Sequence, residues 1–343
     1  MRMESIHVIA NPHAAGGRGK RVVRQLRTRL ADWPAPVFVH ETSRPGEATE
    51  WVRDLPGDAP SGPLLVVGGD GTLHEVANGL LQRDDAMASR RPIVLLPVGT
   101  GNDFNRMLRS GDTIDEVLAL LRNGSPRPFD VGRVRYSDQV RHFVNLLGVG
   151  IDVAVLQRRH RFALLPGLLQ YLGALLSALV RFRPLPTTVR YVDADGVERH
   201  LAGRTLLTAV TVGPSVGGGF RISPDARPDD GLLDLFQVER LSLGEIARIL
   251  PRVVRGTQKE GRRVHMRRMR SGYIARSDQG PLTFELDGEL MTAEPLSLEI
   301  DIVPGALTFL DAPEVDGAIG PGKSGISRGP DPAPIPEPTG DER

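Results

Sequence analysis

Short apolar runs alternate with helical patterns over the first 130 residues of the chain. Residues 6–12, 37–41, 63–72 and 92–104 are apolar runs that are typical of strands, three of them ending in a turn. Between them, residues 20–30, 46–55 and 73–82 carry apolar side chains at helical spacing. Apolar strands separated by helices predict a parallel sheet that is covered on both faces.

The pattern changes after Asp130. Short alternating segments follow, separated by turn signals such as Asp229-Asp230-Gly231, which is typical of a layered antiparallel β domain. From Asp311 onwards the chain is rich in proline and glycine and has no aromatic residue, which predicts disorder. The predicted organisation is an α/β domain (1–132), a β-rich domain (133–304), a short segment returning to the first domain (305–310) and a disordered tail (311–343).

Composition excludes several classes of protein. The chain has no cysteine, so disulfides, thiolate metal sites and cysteine nucleophiles are absent. Its formal net charge of +1 is too small for a general nucleic-acid binder, so no nucleic-acid partner is expected. Glu4 and His7 interrupt the apolar run near the start, so no signal peptide is predicted and we expect a cytoplasmic protein.

An uncharged segment over 162–180 is flanked on both sides by arginines. A spanning helix needs about 20 such residues, but Pro166-Gly167 interrupts this run early. The segment therefore predicts a helix packed in the core, or a helix facing lipid or substrate, and a membrane-spanning helix is the weakest interpretation. The face that would contact a bilayer is formed by Leu168, Leu169, Leu172, Leu175, Leu176 and Leu179.

Loops at three predicted strand ends carry the candidate chemistry. Because ligands of parallel sheets bind beyond the carboxyl ends of the strands, the loops at Asn11, Gly68 and Gly99 point to one cleft. Gly68 to Thr72 joins a strand to a helix, where free N–H groups favour a phosphate. Asp70 in this loop indicates a nearby magnesium ion or, alternatively, a helix N-cap. A formal match to a phosphate-binding loop over 317–324 lies in the tail without a strand or helix, and we attribute it to chance.

The loop GGDGTLHEVANGL (68–80) resembles the diacylglycerol kinase catalytic domain family, which includes bacterial lipid kinases and sphingosine kinases. The resemblance continues in order through IANPHAAGGRGKR, ETSRPGEATE, PVGTGNDFNRML, FDVGRV, FVNLLGVGIDVAV, ISPDARPDDGLLDL and FELDGE, from Ile9 to about Pro304. It implies a nucleotide-binding α/β domain of the type found in NAD kinase and diacylglycerol kinase, joined to a C-terminal β-sandwich domain, with ATP in the cleft between them.

The glycine loops and the resemblance together imply a set of ATP contacts in this chain. Two positions depart from the family: Ala15 replaces a common Ser or Thr, and His74 replaces the Asn of most bacterial members, although sphingosine kinases also have His there. The implied contacts are Asn11, Pro12, His13, Ala14, Ala15, Thr42, Gly68, Gly69, Asp70, Gly71, Thr72, Leu73, His74, Glu75, Gly99 and Thr100.

Acidic residues complete the implied site. Asp287 matches a catalytic segment of the family, and a carboxylate there would accept the proton of a lipid hydroxyl. The choice between Asp287 and Glu289 as base stays open, with Asp287 favoured; Asp70 is the third expected catalytic acid. The resemblance also implies a structural magnesium ion held by the Asp230 side chain and by the carbonyls of Arg227 and Leu232. Asp130 matches another family acid, either at a hinge or near metal-bound water.

The leading hypothesis is a lipid kinase that transfers the γ-phosphate of Mg-ATP to a lipid hydroxyl, with diacylglycerol as the default acceptor. NAD kinase or a 6-phosphofructokinase-type enzyme shares the Gly-Gly-Asp-Gly loop and is the closest alternative, and a catalytically inactive nucleotide-binding regulator is the third. The expected partners are ATP, a lipid substrate, a peripherally contacted membrane and, as the family often dimerises, a second copy of the chain.

Overall fold

The computed structural model describes residues 4–56, 60–83, 91–99, 101–108, 111–165 and 168–312. The strands in these ranges are β1 (Ile6–Ala10), β2 (Val37–Glu41), β3 (Leu64–Gly68), β4 (Ile93–Pro97), β5 (Ser125–Tyr136), β6 (Gln139–Phe143), β7 (Leu146–Gly150), β8 (Leu185–Asp193), β9 (Glu198–Thr211), β10 (Leu233–Glu239), β11 (Val264–Arg276), β12 (Phe284–Leu286), β13 (Glu289–Leu290) and β14 (Ser297–Asp311). The helices are α1 (Ala14–Leu30), α2 (Glu47–Arg53), α3 (Asp70–Leu81), α4 (Ile114–Asn123), α5 (Ile151–Leu156), α6 (Leu168–Leu179) and α7 (Leu243–Arg255), with 3₁₀ turns at Phe104–Met107 and Arg159–Phe162.

The first four strands form the predicted parallel sheet, in the order β2-β1-β3-β4. Successive side chains of β3 pack on opposite faces of this sheet. Leu64 and Val66 pack under α2 and α3, whereas Leu65 and Val67 pack under α1 and α4. Because both faces are covered, the strand is apolar throughout, and the sequence pattern is explained.

The remaining strands pair antiparallel, as the alternating segments predict. β9 lies between β7 and β10 and also pairs with β8, and β11 pairs with β8, β10 and β14. Their inner faces enclose a second core that contains Phe143, Tyr191, Met269 and Phe284. The predicted fold class, an α/β domain followed by a β-sandwich domain, is confirmed.

Two strands cross the predicted domain boundaries. β5 runs through residue 132, with Val131 in the first core and Val134 in the second. β14 runs through residue 304: its start pairs with β11, it pairs with β5 along most of its length, and Phe309 pairs in parallel with Ile93 of β4. The boundaries therefore lie inside strands and not in linkers.

The prediction of a disordered tail from Asp311 onwards is wrong for its first two residues, Asp311 and Ala312. Asp311 is the last residue of β14 and is only 2% exposed. Its carboxylate forms an ion pair with Arg127 at 3.1 Å, which explains why an acid lies at a buried position. The predicted disorder of 313–343 and the phosphate-loop match at 317–324 lie outside the described residues.

Asp130 connects β5 by hydrogen bonds with the segment at Pro228 and Gly231 and with Gly305 in β14. Its Oδ2 accepts the Gly231 N–H at 2.7 Å and its Oδ1 accepts the Gly305 N–H at 2.8 Å. Its own N–H donates to the Pro228 carbonyl at 2.6 Å. These contacts favour the hinge interpretation of this acid.

Helix α6 divides its leucines between two environments. Leu168, Leu172, Leu175 and Leu179 pack against neighbouring apolar side chains, so most of the predicted lipid-facing surface is core. Leu169 and Leu176 are each 52% exposed. Among the described helices, none has the length and hydrophobicity that crossing a bilayer requires.

Phe309 offers a test of the packing between the first sheet and the returning strand. Its ring is fully buried, 4.8 Å from that of Phe104 and 4.9 Å from that of Phe129 between centroids. We expect Phe309→Ala to lower the free energy of unfolding by about 3–5 kcal/mol in urea titrations, because it leaves a cavity at this contact. Phe38→Ala is the control, since Phe38 is 44% exposed, and an equal loss in both variants would contradict the account.

Candidate active site

The first glycine turn precedes the regular part of α1. Asn11 Oδ1 accepts the His13 N–H at 2.9 Å. Ala15, Gly16 and Gly17 follow with positive φ angles of 48°, 67° and 93°. A non-glycine residue is uncommon in this conformation, so Ala15 is held there at a conformational cost. The turn exposes backbone groups to the cleft, with no hydroxyl at position 15.

The second glycine turn joins β3 directly to α3. The helix begins at Asp70, three residues earlier than the sequence predicts, with Gly69 as its N-cap. A side chain on Gly68 would meet Thr72, since its Cβ would lie 2.4 Å from the Thr72 Oγ1. Gly69 and Gly99 also lie close together, because a Cβ on Gly69 would be 3.1 Å from the Gly99 Cα. Glycine is therefore required at these strand ends to bring the two loops together.

Asp70 connects the second glycine turn to the GTGNDF loop. Its Oδ2 accepts the Asp103 N–H at 3.2 Å and its Oδ1 accepts the Phe104 N–H at 3.1 Å. The residue thus caps the 3₁₀ turn of another loop, not its own helix. Burial raises the pKa of Asp70, and these two amides oppose that shift.

Asp103 is a buried acid beside Asp70 that the sequence analysis does not select. It forms an ion pair with Arg106 and accepts the Gly218 N–H at 2.6 Å. Burial, followed by the negative charge of Asp70, raises its pKa to about 6. Asp103 belongs to the GTGNDF motif, which could have identified it, but the resemblance assigns no role to this acid.

Glu75 fixes the loop that carries Thr42. Its carboxylate accepts the Gly46 N–H at 2.9 Å and the Ala48 N–H at 3.1 Å, at the start of α2. The acid therefore holds the segment ETSRPGEATE against α3. Glu75 would therefore affect a nucleotide site indirectly, by fixing the position of this loop.

Asp287 lies in a tight turn between β12 and β13, with φ of 51°. Its carboxylate accepts the backbone N–H groups of Val144, Asn145 and Leu146 at 2.8–2.9 Å, and the Nδ1 of His74 lies 2.7 Å from Oδ2. These bonds hold Val144 and Asn145 between the end of β6 and the start of β7. Glu289, two residues further on, is exposed and faces the second glycine turn.

A polar cleft and an apolar cavity meet beside this acid. The cleft lies among the two glycine turns, the Thr42 loop and Glu289. The cavity is walled by apolar side chains of α5, α6, α7, β9 and β10. Four residues line both, namely Asp70, Tyr171, Asp287 and Gly288. At the same junction, Nη1 of Arg159 donates to the Tyr171 hydroxyl at 3.1 Å.

Most of the implied ATP contacts lie together in the cleft. The predicted residues that line it are Asn11, His13, Ala14, Ala15, Thr42, Gly69, Asp70, Gly71, Thr72, Glu75, Gly99, Asp287 and Glu289. Thr100 lies outside the described residues. Arg159 and Tyr171 also line the cleft, and the sequence analysis did not select them, because neither belongs to a glycine loop or an acidic motif.

Four of the implied contacts do not line the cleft and lie behind it. Leu73 is fully buried and its N–H donates to the Gly69 carbonyl. His74 is 9% exposed and turns towards Asp287. Pro12 is buried, and its carbonyl accepts the Lys20 N–H. Gly68 is the close-contact position described above.

At the predicted structural magnesium site, the Asp230 carboxylate already has partners within the protein. The Asp230 carboxylate forms an ion pair with Arg268, and its Oδ1 accepts the Leu232 N–H at 3.1 Å. The site at Arg227, Asp230 and Leu232 stays a prediction, and no step below runs through it.

Two further acids are buried where the apolar cavity approaches the cleft. Both oxygens of Asp152 are buried without a hydrogen-bond partner among the described residues, and a Cβ on Gly148 would lie within 3 Å of both Asp152 and Glu285. Burial raises the pKa of Asp152 to about 7. Burial and the charge of Asp152 raise the pKa of Glu285 well above its usual range.

Comparison with known proteins agrees with this geometry. Residues 5–134 match the diacylglycerol kinase catalytic domain, and residues 145–311 match the YegS C-terminal NAD kinase beta sandwich-like domain. The chain is 31% identical to "Probable lipid kinase YegS-like" of Xanthomonas euvesicatoria, over 78% of this chain and 84% of that protein. It is 30% identical to a diacylglycerol kinase of Mycobacterium tuberculosis, over 72% of this chain and 76% of that protein.

A solved structure supports the same fold. The crystal structure of a diacylglycerol kinase from Bacillus anthracis superposes with a TM-score of 0.67 at 22% identity, covering 91% of this chain and 98% of that one. The glycine turns, the acids and these matches define a lipid kinase. The chain belongs to the diacylglycerol kinase catalytic domain family, in its two-domain form with the YegS-type β sandwich.

The buried acid Asp152 generates a prediction about pH. An acid with a pKa of about 7 in the folded protein, against about 4 when unfolded, binds a proton only in the folded state between these values. Its contribution to stability is therefore fully present below about pH 4 and is lost as the pH rises to about 7. We expect Asp152→Asn to raise the free energy of unfolding at pH 8 and to reduce its decline between pH 5 and 8, measured in urea.

Asp138→Asn is the matched control for this measurement, because Asp138 is exposed. It should leave the pH dependence unchanged. Glu285 contributes to the slope in the same direction, so the decline in Asp152→Asn is reduced and not abolished. A slope identical to that of the unaltered protein would contradict the burial argument.

Proposed function

We propose that this protein transfers the γ-phosphoryl group of Mg-ATP to a hydroxyl of a lipid, with diacylglycerol or a related lipid as the acceptor. The observation that carries the proposal is the junction of the polar cleft with the apolar cavity. Asp70, Tyr171, Asp287 and Gly288 line both spaces, so a phosphate bound at the glycine turns and an alkyl chain in the cavity would approach each other there.

The cleft has the features that a nucleoside triphosphate needs. The N-terminus of α3 offers N–H groups and a partial positive charge towards the cleft. Arg159 lines the cleft and forms no ion pair within the described residues, so its charge is available to a phosphate. Phosphoryl transfer depends mainly on such positioning and on electrostatic stabilisation.

The acids at the junction suit the magnesium ion that accompanies ATP. Burial raises the pKa values of Asp70 and Asp103, and the charge of a neighbouring acid adds to each shift, that of Asp287 at Asp70 and that of Asp70 at Asp103. Magnesium prefers carboxylate oxygens and takes most of its other ligands from water and substrate phosphates. Asp70, which lines the cleft, is the residue that would face the ion. When bound, the ion would neutralise charge on the transferred phosphoryl group.

The apolar cavity favours a lipid over the soluble acceptors of the alternative hypotheses. Side chains such as Leu175, Leu207, Phe236 and Ile249 line it, and its acids lie towards the cleft. Such a wall gives a sugar phosphate or a dinucleotide few hydrogen-bond partners, whereas it would bury an alkyl chain favourably.

The kinase proposal is tested by incubating the protein with γ-labelled ATP and a panel of acceptors. We expect label in a lipid product when diacylglycerol or another lipid alcohol is supplied in vesicles, and none with NAD or sugar phosphates. Asp70→Asn, which removes a charge from the site, should lower turnover by roughly 10²–10³-fold. Label only in NAD or a sugar phosphate would favour the soluble-substrate kinase. ATP binding without any transfer would favour the inactive regulator.

A second part of the proposal concerns the membrane. Leu169 and Leu176 of α6 are each 52% exposed, and Leu164 and Val180 at either side are 101% and 82% exposed. The flanking residues Arg161, Arg181 and Arg183 are exposed as well. We propose that this surface contacts an anionic bilayer peripherally, close to the helix that walls the cavity.

We expect Leu169→Ser combined with Leu176→Ser to raise the apparent KM for lipid presented in anionic vesicles. The Kd for ATP and the melting temperature should change little, because both side chains are already half exposed. Vesicle co-sedimentation, at low and high salt, measures the contact directly. Val197→Ser, at a 44% exposed position in another part of the fold, is the control. Unaltered co-sedimentation of the double variant would refute this surface.

A further inference from the structure

Two acids that the proposed phosphoryl transfer does not use come together at the end of β7. Glu285 of β12 is the cross-strand partner of Gly148 in β7, and Asp152 lies in the first turn of α5, which follows β7 directly. A Cβ on Gly148 would overlap the Asp152 carboxyl group and would lie within 3 Å of the Glu285 Oε1. The glycine therefore leaves the space that the two carboxyl groups occupy.

Asp152 has hydrogen-bonding capacity that the protein does not use. Both of its carboxyl oxygens are buried and accept no hydrogen bond from the described residues. The N–H groups of Asp152 and Val153 oppose the rise in its pKa, but neither reaches hydrogen-bond geometry with these oxygens. Buried polar groups in folded proteins are nearly always hydrogen-bonded, so the free acceptors of Asp152 require an explanation.

The pair lies where a lipid head group is expected. Asp152 and Glu285 both line the apolar cavity. Glu285 is 3% exposed, and its Oε2 accepts the Gly288 N–H at 2.7 Å. Gly288 lines the cavity as well as the polar cleft. The pair is therefore one hydrogen bond away from the junction at which the acceptor hydroxyl would meet the phosphate.

The charge of the cavity wall favours a ligand that donates hydrogen bonds. Among the described residues that line the cavity, none is Arg, Lys or His, and the acids are Asp70, Asp103, Asp152, Glu285 and Asp287. Two carboxyl groups that share one site do not ionise together, so Asp152 and Glu285 hold a proton between them. A shared proton still leaves acceptor sites on Asp152 without a donor. An N–H or O–H group of a bound molecule would supply that donor.

We propose that Asp152, with Glu285 beside it, binds a second N–H or O–H group of the acceptor lipid, and so selects lipids that carry such a donor next to the hydroxyl that is phosphorylated. This inference rests on the proposed function and narrows its substrate class. Diacylglycerol has no second donor, because its other two oxygens are esterified. A monoacylglycerol or an N-acylated amino alcohol has one.

Pairing with a substrate group is an effective means of selection. A site that is built to hydrogen-bond one group rejects the analogue that lacks it, because the buried polar atoms of the site then stay unpaired. Asp152 already has unpaired oxygens, so a lipid with the second donor would gain a contact that other lipids cannot make.

The test compares monooleoylglycerol with the oleoyl monoester of trimethylene glycol, which is the same lipid without its secondary hydroxyl. Both are supplied in mixed micelles with labelled ATP. We expect kcat/KM to be roughly 10–100-fold higher for monooleoylglycerol, since only this lipid can donate to the acid pair. Asp152→Leu, which has a similar volume and no acceptor, should abolish the preference. Asp152→Asn keeps an acceptor oxygen and should retain part of it.

A control variant separates recognition from damage to the cavity. Ile249→Ala removes an apolar side chain from the α7 wall of the cavity and should lower kcat/KM for both lipids by the same factor. Asp152→Leu should not lower the melting temperature at pH 8, because it replaces a buried acid by an apolar side chain. Equal kcat/KM values for the two lipids in the unaltered protein would overturn the proposal, and so would an unchanged preference in Asp152→Leu.

The lipid selection and the proposed function fail in different ways. Absence of phosphorylation of every lipid by the unaltered protein would reject the proposed function. Lipid binding without ATP does not depend on that result, and it is measured as the rise in melting temperature that each lipid causes. A larger rise with monooleoylglycerol, lost in Asp152→Leu, would support the selection, whereas equal rises with the two lipids would reject it.

Discussion

The arrangement of the site depends on the set of bonds around one buried carboxylate. The Asp287 carboxylate accepts hydrogen bonds from three consecutive backbone N–H groups of the β domain and contacts the imidazole of His74 on α3. Charge-assisted hydrogen bonds of this kind are stronger than neutral ones, and they are most valuable away from water. The contact joins the two halves of the chain where the polar cleft meets the apolar cavity, so the relative position of both spaces follows from it.

Much of the fold was predictable because both sheets obey simple burial rules. The strands of the first sheet are covered on two faces and are therefore apolar throughout, and the second domain alternates because its strands have an inner and an outer face. The break between β6 and β7 was not predictable. Val144 and Asn145 leave the strand because their N–H groups bind Asp287, which lies about 140 residues further along the chain.

The glycine turns of the site could be found from sequence, since a side chain on Gly68 would collide with Thr72 and one on Gly69 would crowd Gly99. The role of each residue in the motif was harder to predict, because it depends on which way the side chain points from the helix. His74 and Thr72 are neighbours on the same helix, but His74 turns to the β domain while Thr72 borders the cleft. Arg159 and Tyr171 reach the cleft from a segment whose pattern shows only an apolar helix with basic flanks, so no local signal identifies them.

The path of β14 has a consequence for how the chain acquires its structure during synthesis. The parallel sheet is synthesised before the antiparallel part of the chain, but Leu307 and Phe309, which complete its core, follow that part. Until then Phe104 and Phe129 lack their aromatic partner. Contacts between distant parts of a chain form slowly because a long loop must close first. The core of the first sheet is therefore completed only when β14 has formed.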